Sequence, residues 1–456
     1  MRLVVALALA AVLSPAARAL DLMDVWRAAT DQDAEFASAR AAREAAGAQR
    51  DQAGALWRPN ISVEGAAGWA SSETTVRGAW FSAPGFGQTN GVGFDTSVTN
   101  GTSTRAALAL RQPLLDRDRD VQQQQLLIAA DATDIQWRDA QQSLILRSAE
   151  RYFDVALAAE QLRLLHRQQA AVDKAYVEAQ DRFRIGDRPV TDTHEAAARA
   201  AALRAERVAA ETELELRKVA LTDLSGLAIG AAPLPLPVAA RDAEPLEDLP
   251  VWLDRAATGN PALQLAEARL RVAVQEARRT DAALSPTLDV VAKVARERLS
   301  GSGEFGSASN TANNGAIGLQ LNVPLYTGGM RTAQQAEARA RVGKASADVE
   351  VARRQSTLKA RGAWLDLSAG TARIAALEAA LAASTARLDA TRVGLRAGDR
   401  TTLDLLNAEN DVAAAEFELL RARTRVLLSR LALAALAGQL DEARLRQVNG
   451  MLQPLR

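Results

Sequence analysis

Gly186-Asp187-Arg188, with Asp192 behind it, recurs later in the chain as Gly398-Asp399-Arg400 with Asp404 behind it. The two segments lie 212 positions apart. Repetition at a fixed spacing indicates that the chain contains two copies of one structural unit. A duplicated unit with segments of fixed length favours a pseudo-symmetric assembly over a single active-site cleft.

Two further segments repeat at similar spacings. Leu224-Ser225-Gly226 returns 212 positions later as Leu436-Ala437-Gly438. Arg27-Ala28-Ala29-Thr30 returns 228 positions later, letter for letter, as Arg255-Ala256-Ala257-Thr258. The copies therefore cover most of the chain, and each is about 200 residues long.

The spacing between the copies changes in one interval only. Pro59 and Pro286 are 227 positions apart, whereas Pro113 and Pro324 are 211 apart. An insertion or deletion therefore lies between these prolines. Such changes are tolerated in exposed loops, so we expect a loop there.

Composition excludes several classes of function. Lys and Arg together total 55, and Asp and Glu together also total 55. The chain therefore has no excess of positive charge that would favour binding to nucleic acid. The absence of cysteine excludes disulfides and cysteine metal sites. The two histidines, His166 and His194, lack metal-ligand spacing. The sequence thus predicts no catalytic residue, cofactor or metal site, and no enzyme.

The N-terminus predicts a secretory signal peptide at 1–19. Arg2 gives a positive start, Leu3 to Leu13 is apolar, and Ala17-Arg18-Ala19 is a small-x-small cleavage site. No later run reaches 18 apolar residues without charge, so the mature chain has no predicted transmembrane helix.

Two segments predict very long helices. No proline or glycine stands between Pro113 and Gly186. No proline stands between Pro324 and Gly398, where the predicted helix tolerates Gly343, Gly362, Gly370 and Gly394. Each helix would be about 110 Å long, a length that favours coiling around partners. Apolar residues seven apart support a coiled-coil seam: Leu367, Ile374, Leu381, Leu388 and Leu395; Leu405, Val412, Leu419, Val426, Leu433 and Leu440; and, more loosely, Ile128/Ile135, Ile145/Tyr152, Leu165/Val172 and Tyr176/Phe183. The alternative is a soluble bundle of ordinary amphipathic helices.

Four short segments alternate with period two and predict two β-hairpins of strands about 10 residues long. The alternating residues begin at Ile61, Ala106, Leu288 and Ile317, with turn-rich segments at 82–103 and 300–315. Strands that are apolar on one face and polar on the other fit a membrane barrel around water. Four strands cannot close a barrel, two chains supply a filled one, and three chains supply 12 strands and a lumen. A soluble sandwich sheet is the alternative.

Three stretches carry a resemblance to a known family. They are Gln141-Gln142-Ser143-Leu144-Ile145-Leu146 with Arg151-Tyr152-Phe153, Leu284-Ser285-Pro286-Thr287-Leu288-Asp289, and Val323-Pro324-Leu325-Tyr326-Thr327-Gly328-Gly329-Met330. In this order, and with the repeat, they resemble the TolC family of outer-membrane channel proteins over nearly the whole mature chain.

The resemblance implies a mainly α fold with a small β part. Long coiled-coil helices would form a trimeric α-barrel, joined to a 12-stranded transmembrane β-barrel with four strands per chain. The implied organisation is a signal peptide (1–19); a first repeat (20–226: helix, hairpin 60–113, long helix 114–185, helix 191–226); an equatorial linker (227–250); a second repeat (251–438: helix, hairpin 286–325, long helix 326–397, helix 402–438); and a C-terminal equatorial segment (439–456).

The resemblance also implies roles for single residues. The strand–helix junctions would carry Pro59, Pro113, Pro286 and Pro324, since proline fixes φ and lacks an N–H. Adaptor-docking turns at the periplasmic tip would carry Gly186, Asp187, Gly398 and Asp399. The periplasmic gate would involve Asp192, Arg400, Asp404 and Asn407.

Within this gate, Arg400 would hold the closed state through the neighbouring chain near Asp192, and Asp404 would form a ring of three carboxylates in the lumen. An Arg400–Asp404 pair within one helix is the alternative. Asn407 stands where well-known members carry a second lumen carboxylate, so we expect the second ring to be lost. The alternative is that Glu409 partly replaces this carboxylate, but Glu409 is two residues on and would face elsewhere.

The function implied is an exit duct in the outer membrane of a Gram-negative bacterium, with a periplasmic extension. It would pass small toxic compounds, type I secreted proteins, or both, since the sequence does not distinguish the cargo. Expected partners are two further copies of the chain, a periplasmic adaptor, an inner-membrane ABC or RND-type transporter and outer-membrane lipid, but no nucleic acid. A non-conducting, periplasm-spanning tether is the alternative function.

Overall fold

The computed structural model of the chain describes residues 20–85, 87–187, 189–230, 232–237, 246–282 and 285–453. The first copy comprises α1 (Leu22–Gln32), α2 (Ala34–Ala55), β1 (Asn60–Ala83), β2 (Gly87–Leu115), α3 (Arg117–Arg184) and α4 (Val190–Ser225). The second comprises α5 (Leu249–Gly259), α6 (Pro261–Ala282), β3 (Thr287–Gly303), β4 (Gly306–Asn322), α7 (Met330–Ala397) and α8 (Thr402–Leu436), and α9 (Glu442–Gly450) follows. The predicted signal peptide, part of the predicted linker (238–245), residues 454–456, Leu284 and Arg188 lie outside the described residues.

The chain divides into two compact units. Among the described residues, one contains those of 20–45, 131–268 and 347–453, and the other contains those of 46–130 and 269–346. No described helix is both long enough and apolar enough to cross a membrane.

The helical core of the first unit confirms the predicted heptads. Leu367 and Ile374 of α7 pack with Leu419, Val426 and Leu433 of α8 in one buried cluster. A second cluster joins Leu165 and Val172 of α3 to Ala200 and Leu203 of α4. Each long helix therefore buries its seam against the helix that follows it in sequence.

The motif that carries the family resemblance lies in the largest core cluster. Ile145, Tyr152 and Phe153 of α3 are all buried there. The Tyr152 hydroxyl donates a hydrogen bond to the carbonyl of Pro235 at 3.0 Å, and burial raises the pKa of this hydroxyl. Next to Pro235, Leu236 exchanges two backbone hydrogen bonds with Gln453, so the linker and the C-terminal segment are paired.

The prediction of one helix at the start of each copy is wrong, because both helices break. In the first copy the break lies at Asp33. Its carboxylate accepts a hydrogen bond from the N–H of Phe36 at 2.6 Å and binds Arg147 of α3 through two 3.0 Å contacts. A buried side chain that caps α2 and holds α3 stabilises the extended backbone at this residue more than a continued helix would.

In the second copy the break lies at Asn260. Its side chain accepts from the N–H of Leu263 at 3.1 Å and donates to the carbonyl of Leu436 at 3.1 Å. The Asn260-Pro261 pair is a recognisable helix start, since asparagine caps well and proline suits the first helical position.

The second unit contains one antiparallel sheet in the order β1-β2-β3-β4. β1 and β2 have 24 and 29 residues, so most of the segment predicted as turn-rich at 82–103 is strand, as is most of 300–315. Gly91, Gly93 and Gly101 of the first of these segments lie inside β2 and do not end it. Gly78 and Gly91, at φ 71° and 79°, lie at register shifts of the β1–β2 ladder, where a positive φ accommodates the extra residue.

The sheet has one apolar and one polar face, as predicted from the alternation. The apolar face is largely exposed and carries Ile61, Val63, Leu108, Val294, Ile317, Leu319 and Leu321. On the other face Lys293 lies 3.3 Å from Glu64, and Arg111 lies 2.6 Å from Asp289. An exposed apolar sheet face of this size indicates that another apolar phase covers it.

Three of the four prolines lie at the ends of strands. Pro59 precedes β1, Pro286 precedes β3, and Pro324 lies between β4 and α7. Pro113 instead lies inside β2, opposite Asp289, immediately before a register shift. A residue without an N–H fits such an irregularity.

Gly370 of α7 offers a test of the α7–α8 seam. A Cβ at this position would lie 2.6 Å from Cγ2 of Val426, whereas nothing lies within 4 Å of the corresponding position at Gly362. Gly362→Ala should therefore stabilise α7 by about 1 kcal/mol, while Gly370→Ala should lower the thermal midpoint through a clash of about 1–3 kcal/mol. Thermal unfolding followed by circular dichroism measures both. Adding Val426→Ala should rescue Gly370→Ala, and equal midpoints for both alanine variants would contradict this close approach.

Candidate functional site

The site predicted from the sequence begins at the turn that ends α3. Gly186 adopts a φ of 77°, a left-handed conformation that favours glycine. Its N–H donates to the carbonyl of Phe183 at 3.0 Å, and the N–H of Asp187 donates to the carbonyl of Arg182 at 2.9 Å. These two bonds form the Schellman motif, which ends a helix and satisfies its last carbonyls.

The turn that ends α7 is built in the same way. Gly398 has a φ of 86°, its N–H donates to Leu395 at 3.3 Å, and the N–H of Asp399 donates to Gly394 at 2.9 Å. Both turns are exposed. The predicted tip turns are therefore two equivalent helix reversals that present a glycine and an aspartate to the outside.

After the turns the two copies differ. α8 begins with a capping box, in which the N–H of Asp404 donates to Oγ1 of Thr401 at 3.1 Å and the N–H of Thr401 donates to the Asp404 carboxylate at 2.8 Å. α4 begins with Pro189, which provides no side-chain cap. Asp192 and Asp404 thus correspond in sequence but not in their hydrogen bonds.

The capping box holds the pKa of the Asp404 carboxyl below its usual range. Hydrogen bonds from the backbone and hydroxyl of Thr401 are the main cause, and the positive charge of Arg400 adds to it. No ion pair joins Arg400 to Asp404 among the described residues, so the carboxylate is bound to the helix start rather than paired within the helix.

The two helix starts give an internally controlled test of this cap. Thr401→Ala should remove about 1 kcal/mol from the first turn of α8. In the unaltered chain the folded-state pKa of Asp404 lies below the unfolded value of about 3.9, so the cap is fully formed above that pH and is lost as the pH falls through the folded pKa. Amide hydrogen exchange, corrected for intrinsic rates, should show protection at 402–405 that disappears in acid and is already reduced at neutral pH in Thr401→Ala. The first turn of α4 should change in neither case, and a similar response there would contradict this assignment.

Asp192 lies beside the start of α8 in its own chain. A cavity of about 130 Å³ is lined by Asp192, Arg182 and Arg199 together with Thr401 and Thr402. Arg400 is not among its lining residues. Within one chain Asp192 and the α8 capping residue Thr401 therefore line the same cavity.

Arg400 lies across a glycine of α7. A Cβ on Gly394 would stand 2.7 Å from Cγ of Arg400, so the missing side chain provides the space in which the arginine lies. The residue of the first copy that corresponds to Gly394 is Arg182, 212 positions earlier. Arg182 forms ion pairs with Glu178 at 2.8 Å and with Asp187 at 3.8 Å. Gly394 and Arg182 were both missed by sequence reasoning, which treated Gly394 only as a glycine tolerated in a helix.

Gly394→Ala should therefore displace the Arg400 side chain without removing it. The added methyl group would favour the helix by about 1 kcal/mol but cannot coexist with the observed position of Arg400. If Arg400 controls opening, Gly394→Ala should reproduce the effect of Arg400→Ala on conductance, and Gly362→Ala should not. An unchanged conductance in Gly394→Ala, with Arg400→Ala altered, would show that the observed position of Arg400 is irrelevant.

The two remaining predicted positions lie further along α8. Asn407 is exposed. Glu409 lies 3.4 Å from Arg392 of α7, so its carboxylate points to this helix. Thr401 was missed as a site residue, although Thr401-x-x-Asp404 is a recognisable capping pattern.

The family profile described as outer membrane efflux protein matches residues 25–227 and 252–439. The chain belongs to the outer membrane efflux protein family. Each matched range covers one copy of the repeat, so the duplication read from the sequence coincides with the family's own organisation. The resemblance to the TolC family is thereby confirmed.

Individual relatives agree with this assignment. The proteases secretion protein PrtF of Dickeya chrysanthemi is 28% identical over 440 residues, which cover 96% of this chain and 92% of the relative. The alkaline protease secretion protein AprF of Pseudomonas aeruginosa is 28% identical over 94% of this chain and 87% of its own length. The crystal structure of the outer membrane protein VceC from Vibrio cholerae superimposes with a TM-score of 0.70, at 21% identity, over 91% of this chain and 96% of VceC.

Family membership locates the protein in the outer membrane of a Gram-negative bacterium and makes it an exit duct, because members of this efflux family are channels. The fold comparison confirms the predicted class, a mainly helical chain with a small four-stranded sheet. The alternative of a non-conducting tether is not supported by these relatives.

Proposed function

We propose that three copies of this chain assemble into a continuous duct for protein secretion of the type I kind. The observation that carries this proposal is the four-stranded sheet, in which β1 and β4 are each paired on one side only. Unpaired strand edges in a membrane must be satisfied by other strands. Three sheets of four strands close a 12-stranded barrel wide enough for a lumen.

The two faces of the sheet support the same assembly. The exposed apolar face around Val63, Val294 and Ile317 suits contact with outer-membrane lipid. The opposite face, with the Glu64–Lys293 and Arg111–Asp289 ion pairs, suits contact with water in the lumen. We expect the helical seams to continue between neighbouring copies, since Val351, Leu358 and Leu365 form an exposed stripe seven residues apart on α7.

The domain organisation proposed is the one predicted from the sequence, apart from the helix breaks at Asp33 and Asn260. Residues 1–19 act as a signal peptide, and the paired segments around Leu236 and Gln453 belong to an equatorial belt. We propose that a periplasmic adaptor docks at the exposed turns of Gly186 and Gly398 and couples the duct to an inner-membrane transporter. The transporter would supply the energy, and the duct itself would have no enzymatic activity.

The cargo proposed first is a secreted protein, because the two protease secretion proteins align over 96% and 94% of this chain. Small toxic compounds are the second candidate, because the family itself is described as efflux. Expressed with the transporter and adaptor of a protease secretion system in a host lacking its own duct, the chain should restore protease export. Restored drug resistance without export would favour the second candidate.

We further propose that Arg400 and Asp404 control the periplasmic entrance. Three Arg400 side chains would hold the closed state, and three Asp404 carboxylates would attract cations to a narrow pore. Asp404 can keep its capping bonds in this role, since a carboxylate accepts several hydrogen bonds.

Single-channel conductance of the purified protein in a planar bilayer tests the duct and the entrance together. The unaltered chain should give small discrete steps, and Arg400→Ala should give larger ones. Asp404→Arg should abolish blockade by multivalent cations, because the ring would change sign. Arg361→Ala, an exposed arginine of α7 remote from the turn, is the control and should behave as the unaltered chain. Complete absence of steps from inserted protein would overturn the duct, and unchanged cation blockade in Asp404→Arg would remove Asp404 from the pore.

A further inference from the structure

The first hairpin continues beyond the four-stranded sheet. Pairing of β2 with β3 ends at Asn100–Ser302, but β1 and β2 remain paired from Ser72–Val98 to Ala83–Gly87. We call the segment 72–98 the hairpin extension. The second copy has no equivalent, since β3 and β4 already end at Gly303 and Gly306. The extension therefore accounts for the length difference between the two copies, which the sequence had assigned to a loop.

The contacts of Val98, at the start of the hairpin extension, show which face of the extension continues which face of the sheet. Gly101 and Arg111 lie on the same face of β2, the polar face of the sheet, because residues an even number apart share a face. A Cβ on Gly101 would lie 2.6 Å from Cγ1 of Val98 and 2.9 Å from Cδ1 of Leu299. Val98 therefore points to the polar side of the sheet, where it is buried with Leu299.

The apolar residues that follow lie on the same side as Val98. Phe94 is four residues along β2 and is paired with Val76, and the ring of Phe94 lies 6.4 Å from that of Phe81. Both rings stay about 40% exposed, at 42% for Phe94 and 40% for Phe81. The apolar residues of this face are Val76, Phe81, Val92, Phe94 and Val98, and the uncharged polar residues Ser72, Thr74, Thr89 and Thr96 share it. The face carries no charged side chain, and we call it the apolar face of the extension.

The opposite side of the extension is polar, with Trp80 as an exception near its tip. It carries Glu73, Thr75, Arg77 and Asp95. The extension thus reverses the polarity of the sheet below it. Its charged side continues the face that carries Ile61 and Val63, and its apolar side continues the face that carries the ion pairs.

We propose that the hairpin extensions of separate copies of this chain pack against one another through these apolar faces and narrow the duct beyond the sheet. This inference rests on the proposed trimeric duct. In that assembly the ion-paired face of each sheet looks into the lumen, so the apolar side of each extension looks towards the equivalent side of its neighbours. Lipid is a less suitable partner for the extension than other copies of the chain. The side of the extension that continues the lipid-facing surface of the sheet carries three charged residues, which lipid would not favour.

The absence of cysteine from the chain makes a cross-linking test direct, since an introduced thiol has no other cysteine of this protein to react with than its counterpart in another copy. Phe94→Cys places the thiol on the apolar side, and Asp95→Cys, its neighbour on the charged side, is the matched control. In membranes treated with a short bis-maleimide, Phe94→Cys should shift from the monomer to the dimer position on a denaturing gel, and Asp95→Cys should not. No shift for Phe94→Cys, or equal shifts for both, would overturn the proposal.

Conductance separates this inference from the duct itself. Because a closed periplasmic entrance would limit the current of the unaltered chain, this comparison is made in the Arg400→Ala variant. In that variant, Phe81→Ser combined with Phe94→Ser should increase the size of single-channel steps, while Thr75→Ser should leave it unchanged. Steps of equal size in all three proteins would refute the constriction and leave the duct intact. If none of the three conducts although each is shown to be inserted, the duct and the constriction both fail.

Discussion

Burial of aliphatic side chains along the seam between each long helix and its successor is the interaction on which the other features depend. A helix of 68 residues has no stable alternative to packing, because isolated helices in water gain little from their hydrogen bonds alone. Leu367 and Leu433 are almost fully buried in this seam. Truncating such residues typically costs about 2–5 kcal/mol, so the seam fixes where each helix can turn back.

The seam also explains why the turns at Gly186 and Gly398 are alike while the helices that follow begin differently. A reversal between two packed helices allows few backbone paths, and both copies use the same pair of hydrogen bonds to end the first helix. The next helix can start in more than one way. Thr401 binds Asp404 through its side chain in one copy, whereas in the other Pro189 provides only its backbone carbonyl to the N–H of Asp192. The two copies thus share the backbone geometry of the turn but differ in the hydrogen bonds at the start of the following helix.

The sheet follows a different physical rule from the helices. Its strands satisfy one another's backbone groups, but the edges of β1 and β4 need partners from outside the chain, and its apolar face needs cover. The hairpin extension carries this rule further, because its exposed aromatic side lies where the sheet below is ion-paired. The unpaired strand edges and the exposed aromatic side of the extension are both surfaces of the single chain that assembly with other copies would bury.

The sequence by itself determined the duplication, the heptad seams, the two hairpins and the glycine turns, since each depends on local periodicity or on a backbone conformation that few residues adopt. Only the tertiary structure decided the break at Asp33, the long strands through 82–103 and the position of Pro113, which depend on partners far away in sequence. It also decided the position of Arg400 against Gly394, because the turn between α7 and α8 brings these two residues together. Arg147 lies more than a hundred residues from Asp33, and a serine-rich and glycine-rich segment becomes strand only when another strand accepts its hydrogen bonds.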